Sequence, residues 1–405
     1  MYLDRVNISA AASSIKHDFS LSNTEMGVAF SAFSWAYLAS VFFGGWGARK
    51  FGSRGVLVVS VLLVGCATIA TGFTGGLATL FAARFMVGVG EGPVFPAATQ
   101  AMRNWYPPQK FGYIQGITHS ASRLGGALAP PIVAYIIVLS NWHTSFYVLG
   151  AASIVWALVW LFYFRDDPTT HGALDAAAMK DVTVVKSDPR AKVPFLALTK
   201  KFSPVTAVMF TYGWAYWVFV SWLPLYFSNY HHTDLKSSAL LASVPFLAGV
   251  IGNTLGGVVS DYLLKRTANT KTARCTVVGV SLAGCALLLL PIMFLGDLVY
   301  IVPLLAASMF FLELAIAPMY AVAMDISKEY SGLGSSFIIA GVATAGIFSP
   351  VVFGWLVDLT KNWNVPFATS VGILLIGAVL VTLWRVENAA PPQVPEPLNR
   401  IAQSA

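Results

Sequence analysis

Charged residues are scarce in this sequence of 405 residues, where Asp, Glu, Lys and Arg together make up 11%. Soluble globular domains carry about 25% of such residues. Hydrophobic residues make up 57% of the chain, and the mean hydropathy is +0.69. The composition therefore excludes a soluble globular protein and predicts an integral membrane protein.

Cysteine is also scarce, and the three cysteines all lie in apolar stretches, at Cys66, Cys275 and Cys285. None falls in a predicted external loop, which excludes a disulfide framework. Ligand spacing of the kind that binds metals is absent, so we predict no metal and no cofactor. The amino terminus lacks the basic and apolar segments of a cleavable signal peptide.

Long apolar runs make up most of the sequence. A transmembrane helix needs about 20 such residues, and residues 1–15 are too few and too polar for a whole span. We therefore expect the sequence to begin inside a truncated first helix, followed by eleven complete helices. The predicted spans are 25–47, 55–73, 77–99, 111–139, 144–164, 203–228, 237–262, 275–295, 298–323, 332–359 and 365–384.

The basic residues predict the orientation of these helices. Nineteen of the 25 Lys and Arg residues fall on one side of the predicted spans, and only Lys16, Lys236 and Lys361 fall on the other. By the positive-inside rule, both termini are predicted to be cytoplasmic. The net charge of +7 is thus a topology signal and gives no support for nucleic-acid binding.

One long polar gap, 165–201, divides the spans six and six. It predicts an N-terminal transmembrane half at 1–164, a cytoplasmic linker at 165–201 and a C-terminal half at 202–384. A Pro-rich segment, 385–405, is predicted to be a disordered cytoplasmic tail.

The two halves resemble each other in sequence. Gly44–Lys50 after the second span is similar to Gly256–Asp261 after the eighth. Gly125–Pro130, followed by Asn-Trp, is similar to Ala345–Pro350, also followed by Asn-Trp. Two related six-helix halves with a site between them form a known transporter architecture.

Two full charges interrupt the apolar run of the fourth span, at Arg84 and Glu91. Seven residues apart, they share one helix face, roughly 10.5 Å apart along the axis. An Arg at the bilayer centre costs about 2.5–3.5 kcal/mol even on a lenient scale. Both side chains must therefore face protein or water, and the best partner in the chain is the Asp4-Arg5 pair.

The spans hold equal numbers of opposite charges. Protonating one or two carboxylates leaves the interior net positive, so that an anion binds more strongly. The linkage is reciprocal, since a bound anion favours protonation. This balance predicts coupled transport of an anion with protons. The charges are Arg5, Arg84 and Arg123 against Asp4, Glu91 and Glu313.

Each of these residues also has a structural interpretation. Asp4, Arg84 and Glu91 can form an ion pair that only locks helices. Arg123 can line the cavity or extend to the membrane surface, and Glu313 can be a second proton site or lie near the outer mouth. Similarly, His119 can be a packing residue or a proton relay.

Tyr2–Asn7, together with Arg84 and Glu91-Gly92, resembles the anion:cation symporter branch of the major facilitator superfamily. That branch includes bacterial galactonate, glucarate, hexuronate, tartrate and phthalate carriers and the vesicular glutamate and sialic acid carriers. The resemblance implies an all-α membrane protein with the major facilitator fold, in which two six-helix halves rock about a midplane site.

The resemblance also implies roles for single residues. Asp4 and Glu91 would be the protonatable pair, Arg5 would bind the substrate carboxylate, and Arg84 would tie the acids together. Tyr37 and Ser122 fall where such carriers touch substrate, and Tyr320 occupies a position that is often Trp in these carriers. Arg84 and Arg123 complete the predicted binding set, although Arg123 is an addition to the family pattern. On the seventh span, Tyr212 and Tyr216 are the aromatic candidates for contact with substrate. Gly45, Arg49, Arg54, Gly257 and Asp261 belong to the two copies of the cytoplasmic gating motif.

The sequence departs from the family pattern in two places. Arg49 stands where the gating motif normally has Asp, although the C-terminal copy keeps Asp261. The eleventh span, at Phe337–Pro350, offers no Asn where sugar-acid carriers use one to hold hydroxyl groups. These departures, with the additional charges Arg123 and Glu313, favour a less hydroxylated or more aromatic carboxylate.

The sequence therefore predicts a proton-coupled symporter of a small organic carboxylate, such as a sugar acid or an aromatic or dicarboxylic acid. It would act as a monomer in the lipid bilayer of a bacterial inner membrane, with protons and the anion as its partners. An organophosphate–phosphate exchanger or a drug exporter of the same fold is the alternative. A membrane enzyme or sensor is disfavoured, because no nucleophile–base arrangement stands out.

Overall fold

The computed structural model describes residues 2–106, 111–171, 195–326 and 331–384. Within these ranges the regular structure is entirely helical. The tail predicted at 385–405 and residues 172–194 of the predicted linker lie outside the described residues. The helices are α1 (Tyr2–Ala10), α2 (Ala12–Asp18), α3 (Asn23–Phe51), α4 (Ser53–Thr71), α5 (Leu77–Glu91), α6 (Val94–Trp105), α7 (Phe111–Leu139), α8 (Trp142–Tyr163), α9 (Phe195–Leu225), α10 (Leu235–Thr267), α11 (Thr276–Leu289), α12 (Leu298–Leu314), α13 (Ile316–Ile326), α14 (Ser331–Thr360) and α15 (Val365–Leu383).

Ten helical segments of the described chain are long and apolar enough to cross a membrane, by length and composition. They are α3, α4, α7, α8, α10, α14 and α15, the segment around α11, and the composite segments α5–α6 and α12–α13. Although α9 has 31 residues, or about 46 Å, it is not among the ten. Its core carries several Tyr and Trp residues instead of aliphatic ones.

Two spans expected to be continuous are broken. The span at 77–99 divides where α5 ends at Glu91 and α6 begins at Val94, and the span at 298–323 divides at Ala315. Proline lacks the N–H that continues a helix, and Pro93 and Pro318 stand at these breaks. Each of the two interrupted segments is still long and apolar enough to be one membrane span, at Leu77–Met102 and Leu298–Val322.

The seventh helix begins earlier than expected. We expected the linker to reach residue 201, but α9 already begins at Phe195. It then continues beyond Leu225 as a π-helical turn, Tyr226–Tyr230. At the other end of the chain, the first helix is divided into α1 and α2 at Ala11.

The helices α1–α8, called the N-terminal half below, pack mainly on one another, as do α9–α15, the C-terminal half. Between the halves, α3 packs on α14, α7 packs on α10, and α1 packs on α9. Glycine permits the close approach of α3 to α14. A Cβ at Gly27 would lie 2.4 Å from the main-chain oxygen of Pro350.

The halves touch at both ends of the α3–α14 interface. At one end, Asp358 of α14 accepts hydrogen bonds from Asn23 and Thr24 at the beginning of α3. Toward the other end, the ring of Phe42 lies 5.9 Å from those of both Phe195 and Phe337, centroid to centroid. The two halves are therefore in contact at both of these places along α3 and α14.

Candidate anion and proton site

Arg5 and Glu91 form a buried ion pair between α1 and the end of α5. The Arg5 Nη2 atom lies 2.5 Å from Glu91 Oε1, and the side chains are only 8% and 5% exposed. The guanidinium Cζ lies 4.9, 4.7 and 5.1 Å from the ring centroids of Tyr2, Phe33 and Tyr37. An arginine held among aromatic faces keeps its charge and a fixed orientation.

Arg84 of α5 contacts the main chain of α1, the helix that carries Arg5. It donates hydrogen bonds to the carbonyl oxygens of Asp4 and Arg5, at 3.2 and 3.4 Å. The Ser153 hydroxyl of α8 donates to Asp4 Oδ2 at 2.9 Å. The structure thus brings together Asp4, Arg5, Arg84 and Glu91. Arg84, which is 2% exposed, contacts the helix that carries Arg5.

A second pair, Arg123 with Glu313, joins the two halves. Arg123 Nε on α7 lies 3.2 Å from Glu313 Oε2 on α12. The other carboxylate oxygen accepts a hydrogen bond from the Tyr212 hydroxyl at 2.9 Å, and Arg123 donates to the Tyr216 hydroxyl at 3.0 Å. Glu313 is fully buried and Arg123 is 11% exposed.

The two pairs are neighbours. The Cζ atom of Arg5 lies 5.9 Å from the Trp217 ring, and the adjacent Tyr216 ring lies 6.1 Å from Trp217 and 5.2 Å from the Cζ atom of Arg123. Both glutamates also stand at corresponding places, since Glu91 is the last residue of α5 and Glu313 is the penultimate residue of α12. These are the helices that break in the fourth span of each half. The interior therefore holds two arginine–glutamate pairs connected through the neighbouring rings of Trp217 and Tyr216.

The other predicted contact residues are distributed around these pairs. Tyr37 stacks on Phe33 with its ring centroid 5.1 Å away. The Tyr320 ring lies 5.4 Å from that of His119. The Ser122 hydroxyl donates to the main-chain oxygen of Thr118 in its own helix, at 2.8 Å.

The two copies of the gating motif differ in how their charges are paired. In the C-terminal copy, Asp261 Oδ1 lies 2.6 Å from Nη1 of Arg274. In the N-terminal copy, the main-chain N–H of Arg54 donates to Asp166 Oδ1 at 2.9 Å, and its Nε donates to the carbonyl oxygen of Leu161. Arg49 is exposed. Asp166, which follows α8, therefore bonds the first turn of α4, whereas Arg49 lies in the last turn of α3.

The glycines of the motif also differ. A Cβ at Gly45 would have nothing within 4 Å, whereas at Gly257 it would lie 3.4 Å from the Cβ of Ala317. That second distance is an ordinary van der Waals contact. Neither glycine is therefore required by close packing in this conformation.

Several residues of the site gave no signal in the sequence. Ser153 lies in an apolar helix, and Phe33 is one aromatic residue among many. Asp166 and Arg274 lie in polar segments where charges are common. Only the position of each helix in the bundle brings these side chains to the site or the gating motif.

Comparison with known proteins agrees with this architecture. The family model for the Major Facilitator Superfamily matches residues 1–327 and 273–404. The chain is 42% identical to the probable sulfoacetate transporter of Cupriavidus necator over 382 residues, which cover 93% of this chain and 89% of that protein. It is 30% identical to the hexuronate transporter of Bacillus subtilis, with coverage of 94% and 90%.

A probable galactarate/D-glucarate transporter of Escherichia coli is 28% identical, with coverage of 90% of this chain and 85% of that protein. Among solved structures, a bacterial homolog of the human lysosomal transporter Spinster, in an inward-facing and occupied conformation, superposes with a TM-score of 0.78. That match covers 96% of each chain at 15% identity and shows the fold. These curated relatives are named as transporters and not as enzymes. The chain belongs to the Major Facilitator Superfamily, in the branch whose members carry organic anions.

Proposed function

We propose that this protein is a secondary transporter that moves a small organic anion together with protons. The observation that carries the proposal is the buried Arg5–Glu91 pair, with 2.5 Å between Nη2 and Oε1. The names of the relatives support an anionic substrate, because sulfoacetate, hexuronate, galactarate and D-glucarate all carry acid groups.

The pair couples an anion to a proton through the cost of leaving a buried charge without a partner. While Glu91 is ionised, it neutralises Arg5. Once Glu91 is protonated, the Arg5 guanidinium attracts an acid group, which it can bind through two parallel hydrogen bonds. By linkage, a bound anion raises the affinity of Glu91 for a proton by the same factor by which the proton raises the affinity for the anion. Asp4 and Glu313 are further proton-carrying candidates, each with an observed hydroxyl donor.

Alternating access would expose this site to each side of the membrane in turn. The N-terminal and C-terminal halves would rock about the α3–α14 and α7–α10 interfaces. The charge bias of the loops supports cytoplasmic termini and a gating role for the segments around Arg54 and Asp261. We further propose a monomer in a bacterial inner membrane as the working form.

Uptake by the Glu91→Gln variant tests the coupling. Proteoliposomes would receive labelled sulfoacetate, galactarate or glucuronate, with and without an inward proton gradient. We expect the gradient to drive accumulation in the unaltered protein. In the variant, the gradient should have no effect, while exchange of internal for external anion persists.

Glu25→Gln is a matched control. Glu25 is exposed and takes part in the capping box at the beginning of α3, so its substitution should leave the gradient effect intact. Unchanged accumulation by Glu91→Gln would exclude Glu91 from coupling. Flux that depends on an internal anion but not on the gradient would instead identify an exchanger.

A further inference from the structure

The second ion pair, Arg123–Glu313, repeats the chemistry of the first. Each pair consists of one arginine and one buried glutamate, with nitrogen–oxygen distances of 2.5 and 3.2 Å. Each glutamate stands at the break of the fourth helix of its half. The first pair lies within the N-terminal half, whereas the second joins Arg123 of that half to Glu313 of the other.

Charge balance limits what a site of this kind can hold. A substrate with one acid group replaces Glu91 as the partner of Arg5 and leaves Arg123 paired with Glu313. A substrate with two acid groups can replace both glutamates, provided that both are protonated. Two protons and a dianion together add no net charge to the buried site, so the Coulomb cost of burying them is small.

The tyrosines support a single substrate that reaches both arginines. The Tyr2 ring lies 4.9 Å from the Arg5 Cζ atom, and the Tyr216 ring lies 5.2 Å from the Arg123 Cζ atom. The Trp217 ring connects the two places, since its centroid lies 5.9 Å from the Arg5 Cζ atom and 6.1 Å from the Tyr216 ring. The Tyr216 hydroxyl accepts a hydrogen bond from Arg123 at 3.0 Å. Because the Tyr216 hydroxyl accepts from Arg123, its own proton can be donated to an acid oxygen of the substrate.

We propose that the substrate is a dianion with an acid group at each end, one held by Arg5 and the other by Arg123 across the two halves. Each acid group replaces a glutamate that has taken up a proton, Glu91 at one end and Glu313 at the other. This inference rests on the proposed function and names its substrate class. The end group bound by Arg123 is a carboxylate or a sulfonate, which share charge and acceptor oxygens.

Equilibrium binding to the purified full-length protein in detergent tests this proposal with matched anions. Galactarate and galactonate have the same carbon chain but two and one carboxylates, respectively. Malonate and sulfoacetate carry two acid groups on a short chain, and propionate carries one. We expect the unaltered protein to prefer the two-ended member of each comparison by about tenfold or more, since one charged hydrogen bond contributes on that order.

The double variant Arg123→Gln/Glu313→Gln removes the second pair without leaving one buried charge alone. We expect it to lose most of the preference for two-ended anions while keeping its affinity for galactonate or propionate. Glu313→Gln alone leaves Arg123 free, so dianion binding should persist and should depend less on pH. A comparison of malonate with sulfoacetate in the unaltered protein identifies the second end group.

An unchanged ratio of dianion to monoanion affinity in the double variant would overturn this proposal. So would an unaltered protein that binds galactonate or propionate but none of the two-ended anions, although Glu91-dependent symport would then stand. If none of the two-ended anions binds, this proposal fails, whereas the proposed function is decided separately by the uptake experiment with Glu91→Gln. Should the double variant not fold, Glu313→Gln provides the decisive comparison, and a pH dependence equal to that of the unaltered protein overturns the proposal.

Discussion

Asp358 on α14 caps the first turn of α3 through Thr24, since its Oδ2 lies 2.7 Å from both the main-chain nitrogen and the hydroxyl oxygen of Thr24. Its other carboxylate oxygen accepts hydrogen bonds from the main chain and the side chain of Asn23, at 3.3 and 2.7 Å. A carboxylate at a helix N-terminus is favoured by the helix dipole. Because α3 and α14 belong to different halves, this one side chain holds them together at the end opposite the predicted cytoplasmic side.

Asp358→Asn should loosen that end of the molecule. Losing the charge weakens the hydrogen bonds to Asn23 and Thr24 by roughly 1–2 kcal/mol, so the open form should become about tenfold more populated. The measurement is the rate at which a membrane-impermeant maleimide labels a cysteine at Ser31, a buried residue of α3, in a variant whose native cysteines are replaced by alanine.

Asp297→Asn is the control for this experiment. Asp297 also caps a helix, accepting from the main-chain N–H of Val299 at 2.9 Å, but both residues belong to the C-terminal half. Its substitution should leave the labelling rate at Ser31→Cys unchanged. Equal rates for Asp358→Asn and the unaltered protein would show that the cap does not hold this end closed.

The Asp358 cap is also an example of a contact that the sequence does not predict. Charges in an apolar run are conspicuous, because burying them is costly. For that reason Arg84, Glu91, Arg123 and Glu313 were identified from the sequence, as were the membrane class and most spans. Asp358 lies in the last turn of its helix, where an acid is unremarkable. Its partners are 334 and 335 positions away, and only the packing of α3 on α14 selects them.

The helix breaks can be predicted from the sequence, whereas the pairing of the charges cannot. Pro93 and Pro318 each lack the main-chain N–H that continues a helix, so they predict that α5 and α12 end near them. By contrast, nothing in the spacing of Arg123 and Glu313 indicates that they meet. That contact depends on how α7 and α12 are rotated about their axes, which many small packing preferences determine together.

Arg5→Lys should greatly weaken anion binding although the charge is kept. The planar guanidinium lies among three aromatic rings and bonds Glu91, and an ammonium group reproduces neither the stacking nor a two-point contact with an acid group. We expect the dissociation constant for galactarate to rise about tenfold to a hundredfold, corresponding to roughly 1.4–2.8 kcal/mol. Calorimetric titration of purified protein gives that constant directly.

The comparison variant is Arg266→Lys. Arg266 also stacks on a tyrosine, with its Cζ 5.3 Å from the ring of Tyr262, but it is exposed near the end of α10. Its substitution should leave the galactarate affinity unchanged. If the two lysine variants bind galactarate equally well, Arg5 does not hold the substrate.

Gly88→Ala should displace α5 and with it Glu91. A Cβ at Gly88 would lie 2.2 Å from the main-chain oxygen of Phe33 on α3, so the two helices must separate. Overpacking of this kind costs about 1–3 kcal/mol. We expect a lower melting temperature together with slower proton-driven uptake. Gly372→Ala is the control, because a Cβ there would have nothing within 4 Å and alanine favours the helix.

Arg84→Gln distinguishes a substrate-binding residue from a positioning one. The guanidinium of Arg84 donates to the carbonyl oxygens of Asp4 and Arg5, and it interacts electrostatically with Glu91 and Asp4. Removing it leaves two buried carbonyl oxygens without their donor and takes a positive charge away from two buried carboxylates, which costs about 3 kcal/mol or more. We therefore expect a larger fall in the melting temperature for Arg84→Gln than for Arg5→Lys.

Galactarate binding, unlike the melting temperature, should be affected less by Arg84→Gln than by Arg5→Lys. The Arg84→Gln variant that remains folded at low temperature should bind galactarate less than about tenfold more weakly, because Arg5 and Arg123 are still present. Arg84→Lys should recover part of the lost stability, since it restores the charge but not both hydrogen bonds. A variant of normal stability that no longer binds galactarate would instead mean that Arg84 contacts the substrate itself.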